Sequence, residues 1–253
     1  MGIKGVGMAK LETFPADLEF DESGKRLYFE GVELTPDIRT LMQMMSVVFD
    51  KGFYANADKN REQYYMFRGI ARKLDKPLFE QHGIRYDITV IPAWDLGKEY
   101  NKTIGHYHPK SEAGTRYPEI YEVLEGQAHY LFQKLASEKG DVDDVLFVSA
   151  KKGDKIVVPS GYGHVTINPT RATLVMANLT ALFKSEYELY RIKEGAAYFE
   201  LIDDSLTPNR NYENLPLLKR INAREFHLNQ EFEGDNVYQQ FLENPHKFDF
   251  LKK

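Results

Sequence analysis

The sequence contains no cysteine. Disulfides, iron–sulfur clusters and thiolate zinc sites are therefore excluded, and any metal centre must be built from nitrogen and oxygen donors. Long apolar runs are also missing: no window approaches the roughly 20 residues that a membrane-spanning helix needs. The opening stretch MGIKGVGMAKLETFPADLEF holds no apolar run of signal-peptide length. Its sixth residue, Val6, departs from the Ser or Thr of a myristoylation signal. The resulting expectation is a cytoplasmic protein. Positive charge is not in excess: 33 Lys and Arg against 38 Asp and Glu give a net charge of -5 and a pI near 5.9. That balance argues against a general nucleic-acid partner and against a membrane surface.

What is present is an ordinary globular composition, 42% hydrophobic and 28% charged over 253 residues, enough for one domain with a sizeable core. The 16 Phe and 16 Tyr suit a β-rich protein. Residues 1–84 read as an N-terminal arm and helix. Within the arm, KRLYFEGVEL predicts a hairpin turning at Glu30-Gly31. PDIRTLMQMMSVVFDKG, residues 36–52, has apolar spacing, an early Pro and a final Gly that predict a helix, with its methionines filling core. Residues 60–80 mix a strand-like piece with a charged loop. From 85 to 185 short alternating runs broken by Gly and Pro (RYDITVIPAWDLG, EIYEVLEG, QAHYLFQKL, DVLFVSAKKGD, KIVVPSG, HVTINPT, ATLVMANLTAL) predict an antiparallel sandwich or barrel. Residues 186–253 form a charged, irregular C-terminal extension.

Seven histidines are present, and most histidines in proteins pack or face solvent. His106 and His108 stand apart because residues i and i+2 of a strand project from one face, so that two imidazoles can meet one ion. A carboxylate must come from Glu112 or Glu119. Glu112 lies in PKSEAGTRYP, which reads as a loop. Glu119 opens a strand, where the sheet fixes the direction of its side chain. Downstream, GDKIVVPSGYGHVTIN is spaced G-x5-P-x-G-x2-H-x3-N, with Gly153, Pro159, Gly161, His164 and Asn168 in the named positions.

That second spacing resembles the second motif of the cupin superfamily, and His106-x-His108 followed by Glu119-x6-Gly126 resembles the first. Tyr100 stands where the first motif has its leading Gly. More closely, GKEYNKTIGHYHPK and YPEIYEVLEGQAHYLFQ resemble the cupin, archaeal-type glucose-6-phosphate isomerases over about residues 86–180, with a longer spacer before the glutamate. The resemblance implies a mainly β fold, the cupin double-stranded β-helix (jelly-roll barrel), with helical and extended additions at both ends. The strand carrying His164 is expected to pair inside the barrel opposite the H-x-H strand. The resemblance further implies metal ligands His106, His108, Glu119 and His164 holding one divalent ion per subunit. Fe, Mn, Ni and Zn all suit such donors.

The implied activity is interconversion of glucose 6-phosphate and fructose 6-phosphate, by proton transfer through an ene-diolate or by a hydride shift. Glu119 is then a candidate base as well as a ligand, with Tyr121 and Tyr162 flanking the cavity as candidate catalytic groups. Thr89, Thr103 and Gly105 are expected to line a phosphate site, with charge from Lys98 or Lys102. His129 reads as structural, and His82, His227 and His246 carry no assignment. The expected partners are a sugar phosphate and a second copy of the chain. The same ligand set also occurs in Fe(II) cupin dioxygenases, and a sugar-binding cupin without catalysis is the third reading.

Overall fold

The computed structural model describes residues 8–10, 18–21, 26–137 and 140–253. Parts of the predicted arm, residues 1–7, 11–17 and 22–25, lie outside the described residues. Two six-stranded sheets face one another. The first runs in the order Lys155–Val158, Glu119–Glu125, Leu174–Ala181, Ile84–Ile91, Glu62–Phe67 and Asp37–Thr40. The second runs Lys219–Asn222, Val142–Lys151, Gln127–Leu135, Tyr162–Asn168, Glu99–Lys102 and Asp95–Leu96. Neighbours are antiparallel except where Lys219–Asn222 pairs parallel with Val142–Lys151. The chain crosses repeatedly between the sheets, which gives the expected double-stranded β-helix as a sandwich of two sheets rather than a closed barrel.

Alternation along the strands builds two cores. Tyr121, Val123, Ile156, Val158 and Met176 face the second sheet and pack with Tyr130, Phe132, Val165 and Ile167. Their neighbours Ile120, Leu124, Val157, Val175 and Ala177 face the other way, beneath Phe232, Tyr238, Phe241 and Phe248 of the C-terminal extension. Burial on both faces explains why strands such as LVMANLTA read as nearly unbroken apolar runs. The end of the extension, from Phe232 onward, thus covers the first sheet's outer face, while Lys219–Asn222 extends the second sheet. Among the described residues no helix is long and apolar enough to cross a membrane.

The hairpin forms as expected: Leu27–Phe29 pairs with Val32–Leu34. Glu30 and Gly31 both have positive φ (50° and 75°), as a two-residue turn matched to strand twist requires. The predicted helix over 36–52 does not form as one element. Asp37–Thr40 is instead an edge strand on Glu62–Phe67. A 3-10 helix, Leu41–Val47, follows behind a Thr40–Gln43 capping box, and an α-helix, Lys51–Asn56, starts where the Asp50 carboxylate accepts the Phe53 N–H. The break between them is fixed by the Glu99 carboxylate, which takes the Phe49 N–H at 2.6 Å. Of the methionines there, Met44 is core, whereas Met42 and Met45 are exposed. The charged stretch after residue 67 contains a helix, Lys76–His82, that its sequence did not announce.

Candidate metal centre

His106 lies just outside the regular strands. Its N–H donates to the His164 carbonyl (3.2 Å) and its carbonyl accepts the His164 N–H (3.0 Å). The two segments therefore pair, as expected, and this single antiparallel bridge brings their rings to 4.4 Å between centroids. His108 follows two residues on, 5.1 Å from His106 and 5.3 Å from His164. Glu119 opens the Glu119–Glu125 strand of the facing sheet, on the same side as Tyr121. Its Oε2 stands 3.2 Å from His108 Nε2 and 3.3 Å from His164 Nε2. Donor atoms of all four side chains fall within 4.8 Å of one another.

Neighbouring groups fix how these donors point. His108 Nδ1 donates to the Tyr117 carbonyl at 2.7 Å, which turns Nε2 toward Glu119. Asn178 Nδ2 donates to Glu119 Oε1 at 2.7 Å, which turns Oε2 toward the imidazoles. The Tyr121 hydroxyl lies 3.1 Å from His164 Nε2. Burial, reinforced by the neighbouring imidazoles, holds His106 and His164 well below the usual histidine range. Burial, then the Glu119 charge, pushes the Tyr121 phenol up, so it stays protonated. Buried polar atoms are normally partnered, yet His108 Nε2, His164 Nδ1 and Glu119 Oε2 are buried without a hydrogen-bond partner. His108 Nε2 and His164 Nε2 converging on one buried carboxylate oxygen are the donor set that a divalent ion satisfies. The residues fit a metal.

The cavity beside these groups is lined further by Thr89, Thr103, Asn178 and Phe183, and by Arg68, Arg85 and Asp87. Glu112 is exposed in the loop, away from the group. The remaining expectations need correction. Tyr162 does not reach the cavity: its hydroxyl donates to Asp144 at 2.6 Å, across the strand between them. Lys98 is exposed in a hairpin turn on the sheet edge. Lys102 is buried, and its ammonium is held by Glu99 at 2.5 Å. Gly105 does not line the cavity either. Its φ is +84°, and a Cβ there would lie 2.5 Å from Val165 Cγ2 and 2.6 Å from Tyr190, so its place is set by packing. Thr103 does line the cavity, with its Oγ1 already accepting the Thr166 N–H at 3.0 Å.

His129 is structural as expected, its Nδ1 2.7 Å from Glu200. His82 and His246 sit together elsewhere, 5.3 Å apart. Arg68, Arg85, Asp87 and Asn178 were not singled out from the sequence. One signal was available: Arg85, Asp87 and Thr89 alternate within an otherwise apolar run, and a buried strand with one polar face marks a cavity.

A family model described as "Glucose-6-phosphate isomerase (GPI)" matches residues 38–216. Comparison with curated protein sequences gives no match. Among solved structures, an oxalate oxidase is 12% identical, over 57% of this chain and 54% of its own, at a TM-score of 0.34. The vicilin of Capsicum annuum is 14% identical over 49% of this chain and 29% of its own, with a TM-score of 0.34. An oxalate decarboxylase of Bacillus subtilis is 14% identical over 46% and 25%, at 0.32. The chain thus spans about half the length of the oxalate oxidase, and overlaps this distant bear on neither substrate nor mechanism. The family match is of another order, since it runs over well more than half of the chain and encloses all four converging donors. The chain belongs to the cupin-type glucose-6-phosphate isomerase family.

Proposed function

We propose that this protein is a metal-dependent aldose–ketose isomerase that interconverts glucose 6-phosphate and fructose 6-phosphate. The observation that carries the reading is the convergence of His108 Nε2 and His164 Nε2 on Glu119 Oε2, at 3.2 and 3.3 Å, at one end of the cavity. His106, His108, Glu119 and His164 would hold a divalent ion. When bound, such an ion polarises the sugar carbonyl and so weakens the adjacent C–H bond. The rest falls to the chain. Asn178 orients the Glu119 carboxylate so that Oε2 meets the ion, and Oε1, which keeps a second lone pair, takes up and returns a proton between the two carbons. The Tyr121 phenol, held protonated, donates a hydrogen bond to a sugar oxygen. Thr89 and Thr103 contact the polar end of the substrate, and Phe183 helps keep water from the reacting carbons.

The test is a coupled assay of fructose 6-phosphate conversion by protein stripped with chelator and then reloaded with Fe(II), Mn(II), Ni(II) or Zn(II). Activity that disappears and returns with metal supports the proposal. Oxygen consumption with Fe(II), without isomerisation, would replace it with the dioxygenase reading. Sugar binding without turnover would replace it with a non-catalytic cupin. We further propose a homodimer as the working unit, which light scattering tests against the 29.3 kDa of one chain.

A further inference from the structure

His82 and His246 take no role from the sequence, yet the fold brings them together. His82 is the last residue of the helix Lys76–His82, just before the strand Ile84–Ile91. His246 and Asp249 belong to the closing 3-10 helix, Pro245–Lys252. Each of the three offers one donor atom, and those atoms lie within 4.8 Å of one another. Two of the three lie past residue 216, where the family match ends. The centre built by His106, His108, Glu119 and His164 shares none of them.

Local geometry explains why they meet. In a 3-10 helix the side chains at i and i+3 stand one above the other. Phe248 and Leu251, so spaced, are fully buried against the first sheet's outer face. His246, Asp249 and Lys252 form another such row. Within it His246 Nδ1 lies 3.0 Å from Asp249 Oδ2, while Lys252 holds Asp249 Oδ1 at 2.8 Å. The ammonium thereby turns Oδ2 toward the imidazole. His82 reaches this row from the other helix, its ring edge-on to the buried Phe241 at 5.8 Å and to His246 at 5.3 Å. Phe241 in turn packs on Phe248 at 5.7 Å, so one aromatic wall positions both sides of the cluster. A hydrogen-bonded His–Asp pair needs no third group. The second imidazole, packed at the same spot, is the donor that turns the pair into a chelate.

We infer that His82, His246 and Asp249 form a second metal site, which takes a transition-metal ion such as Zn(II) and ties the closing helix to the helix Lys76–His82. Two imidazoles and a carboxylate suit zinc, with solvent in the remaining position. Magnesium and calcium prefer all-oxygen sites and do not fit. On binding, the ion takes the place of the proton between His246 Nδ1 and Asp249 Oδ2, and that proton passes to solvent. The inference is independent of the isomerase reading. The His246 side chain is 78% exposed, so the site exchanges its ion with solvent, and protein purified without added metal should carry only the enclosed central ion.

The experiment is equilibrium dialysis against micromolar free Zn(II), with bound zinc counted by elemental analysis. Wild type is compared with His246→Ala, His82→Gln, His164→Ala and the His164→Ala/His246→Ala double variant, each checked for folding by circular dichroism. Wild type should hold two zinc ions per chain, each single variant one, and the double variant none. At about a hundredfold excess of zinc over the dissociation constant, His164→Ala should gain roughly 5–10 °C in thermal midpoint, and the double variant nothing. Equal zinc in wild type and a folded His246→Ala would overturn the inference. So would a loss in His246→Ala that His82→Gln does not share, the mark of a lone surface histidine. Uptake that depends on His246 only at millimolar zinc would be an adventitious contact and would overturn it too. Because His164→Ala removes the central ion and His246→Ala the second, failure of either site leaves the count at the other readable.

Discussion

Replacing Gly105 by alanine perturbs the chain one residue before His106, at a point where the structure leaves no room. The φ of +84° lies in the left-handed region, where a side chain costs about 1–2 kcal/mol. The new Cβ would lie 2.5 Å from Val165 Cγ2 and 2.6 Å from two carbons of the Tyr190 ring. Tyr190 is fully buried against Tyr107, with ring centroids 5.4 Å apart, so it cannot simply turn aside. Overpacking of this kind costs about 1–3 kcal/mol. The two effects together predict a loss of roughly 2–5 kcal/mol. For a chain of this size that is a fall of roughly 4–20 °C in thermal midpoint. Circular dichroism on heating and urea titration at unchanged slope would read it out. Metal occupancy should fall as well, because His106 must shift with the backbone. A Gly105→Ala variant with wild-type stability but weakened phosphate binding would refute this steric account, and would return Gly105 to the phosphate cradle.

Glu119→Gln should lose metal or rate by orders of magnitude, and Glu112→Gln should change either by no more than about twofold, since Glu112 faces solvent. Elemental analysis beside the isomerase assay separates the two. Tyr162→Phe should leave kcat near wild type and cost about 1–2 kcal/mol through the lost bond to Asp144. Tyr121→Phe should lower kcat about tenfold or more with stability little changed. Glu99→Gln strands the Lys102 ammonium in a buried site and should destabilise the fold by about 3–5 kcal/mol in urea titration. Near-neutral stability would show that the ammonium finds water instead.

The strands from 85 to 185 were legible because they are short, rich in β-branched and aromatic residues, and set off by Gly or Pro. EIYEVLEG and QAHYLFQKL match their strands closely. His106, His108, Glu119 and His164 were legible because strand alternation fixes which side chains can meet. Residues 36–52 were misread because Ile38, Leu41, Met44 and Val48 satisfy a helical spacing. The pairing of Asp37–Thr40 with Glu62–Phe67 is a distant contact that no local pattern reports. Arg68 was overlooked on the same ground, since it follows a strand outside the motif region and reaches the cavity only through sheet order. Tyr162 shows the opposite error. It occupies the same strand as His164, but Asp144 takes its hydroxyl. The C-terminal extension has irregular aromatic spacing because Phe232, Tyr238, Phe241 and Phe248 fit a surface made by other parts of the chain.

The central claim is that three imidazoles and Glu119 hold one divalent ion. Elemental analysis of protein purified without chelator tests it most directly, with wild type and His164→Ala compared at equal folded concentration. The account predicts close to one equivalent of metal per chain in wild type and essentially none in a His164→Ala variant whose circular dichroism is native. Full occupancy in His164→Ala, or a wild type that remains metal-free after incubation with all four candidate ions, would contradict it.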